Sequence, residues 1–113
     1  MPPHPFPPEV AGSQVARFGD LAWVTGETPG VRTATLFRNA ATGEYTALVE
    51  MQPGTDYPPH SHDLLEEVLV LEGVFADSEH TYRKGDYVIR APGAVHTSAA
   101  HEHALVLVTY RAI

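Results

Sequence analysis

Apolar residues in this chain gather in short runs separated by turn formers, and the runs read as strands: Leu21 to Thr25, Thr33 to Arg38, Tyr45 to Met51, Glu67 to Leu71, Tyr87 to Arg90 and Leu105 to Tyr110. Between them stand Pro29-Gly30, Thr42-Gly43, Pro53-Gly54, Lys84-Gly85-Asp86 and Pro92-Gly93. Glycine accepts positive φ and proline presets φ, so each cluster marks a change of chain direction. No segment keeps a helical period long enough for a helix. Ala40 and Ala41, between Asn39 and Thr42-Gly43, read as a hairpin loop. The pattern predicts an all-β domain with strands spaced as in a sandwich or barrel.

Polar residues interrupt this pattern in one informative place. His60, His62, Glu66, Val68 and Val70 share even parity, and on an extended strand every second side chain points to one face. One face then carries two imidazoles and a carboxylate, followed by apolar residues. Glu67 has the opposite parity, with Leu69 and Leu71, and is expected to face away unless a bulge intervenes. With His96 behind Pro92-Gly93, the set His60, His62, Glu66 and His96 predicts a mononuclear metal centre inside a small β-barrel.

Composition narrows the picture. The chain has 113 residues, which fits one domain able to bury roughly two thirds of its unfolded surface. It has 0 cysteines, so disulfides and thiolate-bound zinc are excluded and a metal must take nitrogen and oxygen donors. Against 7 Lys and Arg stand 14 Asp and Glu, a net charge of -7 that repels phosphate backbones, so nucleic acid is not an expected partner. No apolar stretch approaches the roughly 20 residues that span a bilayer, so no membrane partner is expected. The N-terminus has prolines at 2, 3, 5, 7 and 8 and no signal-peptide pattern, and the protein is read as cytoplasmic. Residues 1–19 are taken as a proline-rich tail and 20–113 as the folded domain.

The other candidate groups have plain readings. His4 lies in the tail with no second ligand nearby, His80 at a hairpin tip, and His101 and His103 beside Glu102 in a solvated link before the last strand. Trp23, Phe37, Met51, Tyr57, Phe75 and Tyr110 are candidates to line a cavity. Arg38 and Arg90 are the cations that could hold an anionic or enolate ligand, though an outward strand position is the simpler expectation for each.

The run from Gly54 to Gly73 resembles the first cupin motif: a glycine, five residues, His60-Ser-His62, three residues, Glu66, six residues and a glycine. Gly85 to His96 resembles the second, with Pro92 directly before Gly93 instead of two residues before it, and with Ala100 where an asparagine often stands. The wording around Glu66 to Gly73, Phe75-Ala-Asp77, Tyr82 to Tyr87 and Ala91 to His96 is similar to ChrR-like cupins, from about Leu21 to Tyr110. The resemblance implies an RmlC-like, jelly-roll-like double-stranded β-helix barrel. It implies the metal ligands His60, His62, Glu66 and His96.

That group includes the C-terminal domain of a zinc-dependent anti-sigma factor and small dioxygenases that cleave acetylacetone or dihydroxyacetophenone. The resemblance therefore implies one divalent ion, Fe(II) or Zn(II) first and Mn(II) or Ni(II) next. The leading reading is an Fe(II)-type dioxygenase acting on a small oxygen-chelating substrate such as a diketone or hydroxyaryl ketone. The alternative is a non-catalytic zinc-binding or ligand-sensing cupin. Expected partners are a small-molecule substrate or ligand and a second copy of the chain, cupins being commonly dimeric. A sigma factor is disfavoured, since only about twenty proline-rich residues, and no cysteine, stand where the anti-sigma branch has a helical zinc domain.

Overall fold

The computed structural model describes residues 12–113; His4 and the proline cluster lie outside them. After a short 3-10 turn at Phe18–Asp20 come β1 (Val24–Thr25), β2 (Val31–Arg38), β3 (Tyr45–Met51), β4 (Thr55–His60), β5 (Leu65–Ala76), β6 (Thr81–Arg83), β7 (Tyr87–Arg90), β8 (His96–Ala100) and β9 (Ala104–Arg111). The strands form one curled antiparallel sheet in the order β1-β2-β3-β9-β5-β8-β4, with β6 and β7 also paired to β5. The domain is all-β and single, as the apolar pattern predicts.

Every run read as a strand contains one, but β4, β6 and β8 were not legible. β4 carries Pro58-Pro59, which supply no backbone donors and read as loop. β8, His-Thr-Ser-Ala-Ala, has no large apolar residue, and β6 is three residues long. β4 and β8 pair with each other, and each gives one imidazole to the site.

The longest strand, β5, organises the curl. Its first half pairs with β7 and β9 and its second half with β6, β8 and β9, across a register shift between Val70 and Glu72. The bulge turns alternation over: Glu66, Val68 and Val70 point inward before it and Phe75 after it. The core is the concave face, built from Val31, Met51, Val68, Val70, Phe75, Val88, Val106 and Val108. Each fully buried aliphatic side chain contributes on the order of 2 kcal/mol. Gly73 fixes how closely β5 approaches β9: its φ is 78°, and a Cβ there would stand 1.7 Å from the His103 carbonyl oxygen. Among the described residues no helix is long and apolar enough to cross a membrane.

Candidate metal centre

Three imidazoles reach one place from three separate segments. His60 ends β4, His96 opens β8 directly opposite it in the antiparallel register, and His62 lies in the connection between β4 and β5. The ring centroids of His60 and His96 are 4.1 Å apart, those of His60 and His62 5.2 Å. One ligand atom from each of the three lies within 4.8 Å of the others. The Pro92-Gly93 turn is tied to this cluster, because the Gly93 amide donates to the His62 carbonyl at 2.7 Å. That bond sets the start of β8, and with it His96, relative to His62.

The strand parity that grouped His60, His62 and Glu66 therefore gives the right faces for a partly different reason. They do not sit on one strand; the chain leaves β4 after His60 and enters β5 at Leu65. Glu66 points into the fold and is 5% exposed, whereas Glu67 points outward, accepting from the Tyr87 hydroxyl and pairing with Arg111 Nε at 2.8 Å. Glu66 borders the imidazoles, with its Oε2 3.5 Å from His62 Nε2 and its Oε1 3.6 Å from His96 Nε2.

Both oxygens of Glu66 are already engaged. Tyr110 donates its hydroxyl to Oε2 at 2.6 Å, and Arg90 Nη1 donates to Oε1 at 2.6 Å. Burial alone would raise the carboxyl's pKa, but the Tyr110 and Arg90 bonds and the Arg90 charge outweigh it and hold Glu66 below the usual range. Arg90 also donates through Nη2 to Asp77 Oδ2 at 2.9 Å, and Asp77 accepts from the Tyr82 hydroxyl and from the His80 and Glu79 amides. Burial opposes ionisation of Asp77, and this set of donors overrides it. Burial and the bond to Asp77 push the Tyr82 phenol up to about 12. Burial and the Glu66 charge raise Tyr110 as well.

These contacts correct the expectation for Arg90. Its side chain is only 11% exposed and it braces two buried carboxylates instead of facing solvent. His103 is corrected too: its Nε2 is 2.8 Å from Glu50 Oε2, inside a group that also takes Arg32 and Gln52, while His101 is exposed as expected. His80 is exposed in the turn between β5 and β6, as its reading had it.

The site opens into a cavity of about 340 Å³ on the concave face. Met51, Tyr57, Phe75 and Tyr110 line it, as anticipated; Trp23 and Phe37 do not. Trp23 instead lies under the Arg32 guanidinium. Tyr45 also lines the cavity and went unnoticed, since a strand-initial tyrosine carries no sequence mark of its facing.

The donor set suits a divalent first-row ion. Metal coordination needs neutral imidazole. Burial lowers the pKa of His62 against the pull of Glu66, and burial together with the Arg90 charge lowers that of His96. His60 Nδ1 lies 2.8 Å from the Pro58 carbonyl, so with Nδ1 donating, Nε2 presents its lone pair to the cluster. His96 Nδ1 is buried with no full hydrogen bond. The Ala94 backbone opposes the fall in the His96 pKa only weakly.

A curled antiparallel barrel with three imidazoles converging at one end of its cavity defines a cupin. The chain belongs to the ChrR Cupin-like domain family, whose model matches residues 11–113. It is 30% identical to the anti-sigma factor ChrR of Rhodobacter sphaeroides, solved in complex with SigE, over 84% of its own length, with a TM-score of 0.72. It spans 51% of that ChrR chain. An acetylacetone dioxygenase from Acinetobacter johnsonii superposes at TM-score 0.77 and 17% identity, over 90% of this chain and 76% of that one. The polyketide cyclase RemF from Streptomyces resistomycificus does so at 0.74 and 18%, over 88% and 79%. The last two show the shared fold. No curated protein matches the chain.

The similarity to ChrR overturns the partner expectation that set a sigma factor aside in favour of a small molecule and a second copy. That expectation drew on the residues preceding the barrel and on the lack of cysteine. Neither bears on which protein the barrel itself accompanies.

Proposed function

We propose that His60, His62, Glu66 and His96 hold one divalent ion and that the protein is a metal-dependent dioxygenase of small, oxygen-chelating substrates such as β-diketones or hydroxyaryl ketones. The observation that supports this most is the convergence of His60, His62 and His96 on a cavity with room for a ligand beside them. An ion bound there supplies Lewis acidity and, as Fe(II), access to dioxygen chemistry.

The chain's own residues prepare the site for this. His62 and His96 are kept neutral by burial, and the Pro58 carbonyl orients His60. Tyr110 and Arg90 fix Glu66 as an anion beside the imidazoles, each leaving lone pairs on its oxygens. Val49, Met51, Val106 and Val108 give the cavity an apolar wall that limits water around a bound ligand.

The likeness to ChrR favours a second reading, a zinc-holding, ligand-sensing cupin whose partner is a sigma factor. One set of measurements separates the two. Metal is assayed by elemental analysis, the protein is reconstituted with Fe(II) under anaerobic conditions, and oxygen uptake is followed with β-diketones and hydroxyaryl ketones. The dioxygenase predicts stoichiometric metal and substrate-dependent uptake, with metal lost in His62→Ala and His96→Ala. Unexchangeable zinc without uptake on any substrate, and co-elution with a sigma factor, selects the second reading. Undiminished metal in both variants overturns the site.

A further inference from the structure

Two arginines line the cavity, and they differ in one respect. Arg90 is engaged on both terminal nitrogens by Glu66 and Asp77. Arg38 makes no ion pair or hydrogen bond among the described residues; its contact is the face of Tyr45, with the guanidinium carbon 5.2 Å from the ring centroid. Arg32 and Arg111, by comparison, are paired to Glu50 and Glu67. Arg38 is exposed while also lining the cavity, and in a chain of net charge -7 its guanidinium meets no carboxylate among the described residues.

A bulge brings Arg38 there. Val31, Thr33 and Thr35 face the cavity from β2, and unbroken alternation would send Arg38 to the outer face. The register shifts between Thr35 and Phe37, so Phe37 pairs with Thr46 on the outside and Arg38 with Tyr45 on the inside. Arg38 then heads a transverse row across the sheet. It pairs with Tyr45, Tyr45 with Tyr110, Tyr110 with Glu66, and Glu66 with Arg90. The two tyrosine rings of this row stack at 4.6 Å between centroids, and Tyr110 in turn packs on the His62 ring beside the row at 4.6 Å. Three strand steps, roughly 14 Å of curved sheet, separate the Arg38 backbone from that of Glu66.

We infer that Arg38 is an anion subsite at the far end of this row, so the ligand carries a carboxylate several bonds from the oxygens that approach the imidazoles. A guanidinium lying over an aromatic ring keeps its in-plane donors free, and those donors match a carboxylate two at a time. The apolar and hydroxyl wall between, Val49, Thr35 and Tyr110 among it, fits the uncharged middle of such a molecule. The inference deepens the metal-site reading and rests on it for the chelating end of the ligand.

The test compares octane-2,4-dione with 5,7-dioxooctanoate, the same diketone with the terminal methyl of its butyl chain replaced by a carboxylate four bonds from the nearer ketone carbon. Both are titrated calorimetrically into the zinc-loaded full chain, where no turnover intervenes. The carboxylate probe is expected to bind about tenfold tighter or more, the effect of a charge-assisted pair. Arg38→Gln should abolish that ratio while leaving metal content and binding of the neutral diketone in place, and Arg38→Lys should keep part of it. Equal binding of the two probes to the unmodified protein overturns the inference, as does a ratio that survives Arg38→Gln. Elemental analysis reads the metal site separately. If the protein holds no metal, that reading fails alone, and 5,7-dioxooctanoate is titrated into the metal-free protein, where Arg38-dependent binding supports the subsite and binding indifferent to Arg38→Gln, or none, overturns it.

Discussion

Arg90 joins two buried carboxylates, and its removal takes from both the guanidinium that donates to them. Glu66 and Asp77 are 6% and 5% exposed in their side chains, so neither can recover its hydration. Breaking a buried ionic group from one side costs about 3 kcal/mol or more. Arg90→Gln should therefore lower the urea midpoint by that equivalent without changing the slope, whereas Arg111→Gln, at an exposed pair, should move it by less than about 1 kcal/mol. A shift at Arg90 no larger than that at Arg111 would show that the network is not structural. The sequence marked Arg90 as a cation of interest but could not place it inward, because β7 pairs with β5 only through tertiary contact.

At the scale of elements, Gly73 sets the approach of β5 to β9. A side chain there collides with the His103 carbonyl and also requires a φ of 78°. Gly43 has nearly the same φ, 80°, but a Cβ added there would meet nothing within 4 Å, which separates backbone strain from collision. Gly43→Ala should cost about 1 kcal/mol, and Gly73→Ala at least about 2 kcal/mol more or a failure to fold. Thermal unfolding of the two variants checks this, and equal losses would contradict the close approach. The first-motif pattern marked Gly73 by spacing; its reason is a backbone contact between segments thirty residues apart. The bulges at Thr35/Phe37 and Val70/Glu72 were illegible for the same cause, since an extra residue in one strand has meaning only against its partner's register.

For the molecule as a whole, the shifted histidines and carboxylates act in one direction. His62, His96, Glu66, Asp77 and Glu50 all have folded-state pKa values below their ordinary ones. A group of that kind contributes its stability fully above its unfolded pKa and loses it as pH falls toward the folded value. Metal-free protein should thus weaken first below about 6.5 through the histidines and again below about 4 through the carboxylates. Denaturant midpoints from pH 8 to 3 that stay flat or rise would contradict these assignments. A divalent ion at a hundredfold excess over its dissociation constant should add about 2.7 kcal/mol and raise the melting temperature by roughly 10 °C. The gain should shrink below about pH 6, as protons compete for the same imidazole nitrogens, and chelator should reverse it.

The sequence by itself determined the all-β class, most of the strands, the histidines of the site and which of two adjacent glutamates is turned inward. These follow from local rules: alternation, turn chemistry, and the limited set of residues that can offer lone pairs to a metal. Only the tertiary structure decided that His60, His62 and His96 converge from separate segments, that Glu66 is held by Tyr110 and Arg90, and that Arg38 faces the cavity unpaired. Those facts depend on how one strand registers against another after a bulge or a turn. A chain that has not yet curled holds no record of that register, because the neighbours that define it lie tens of residues away.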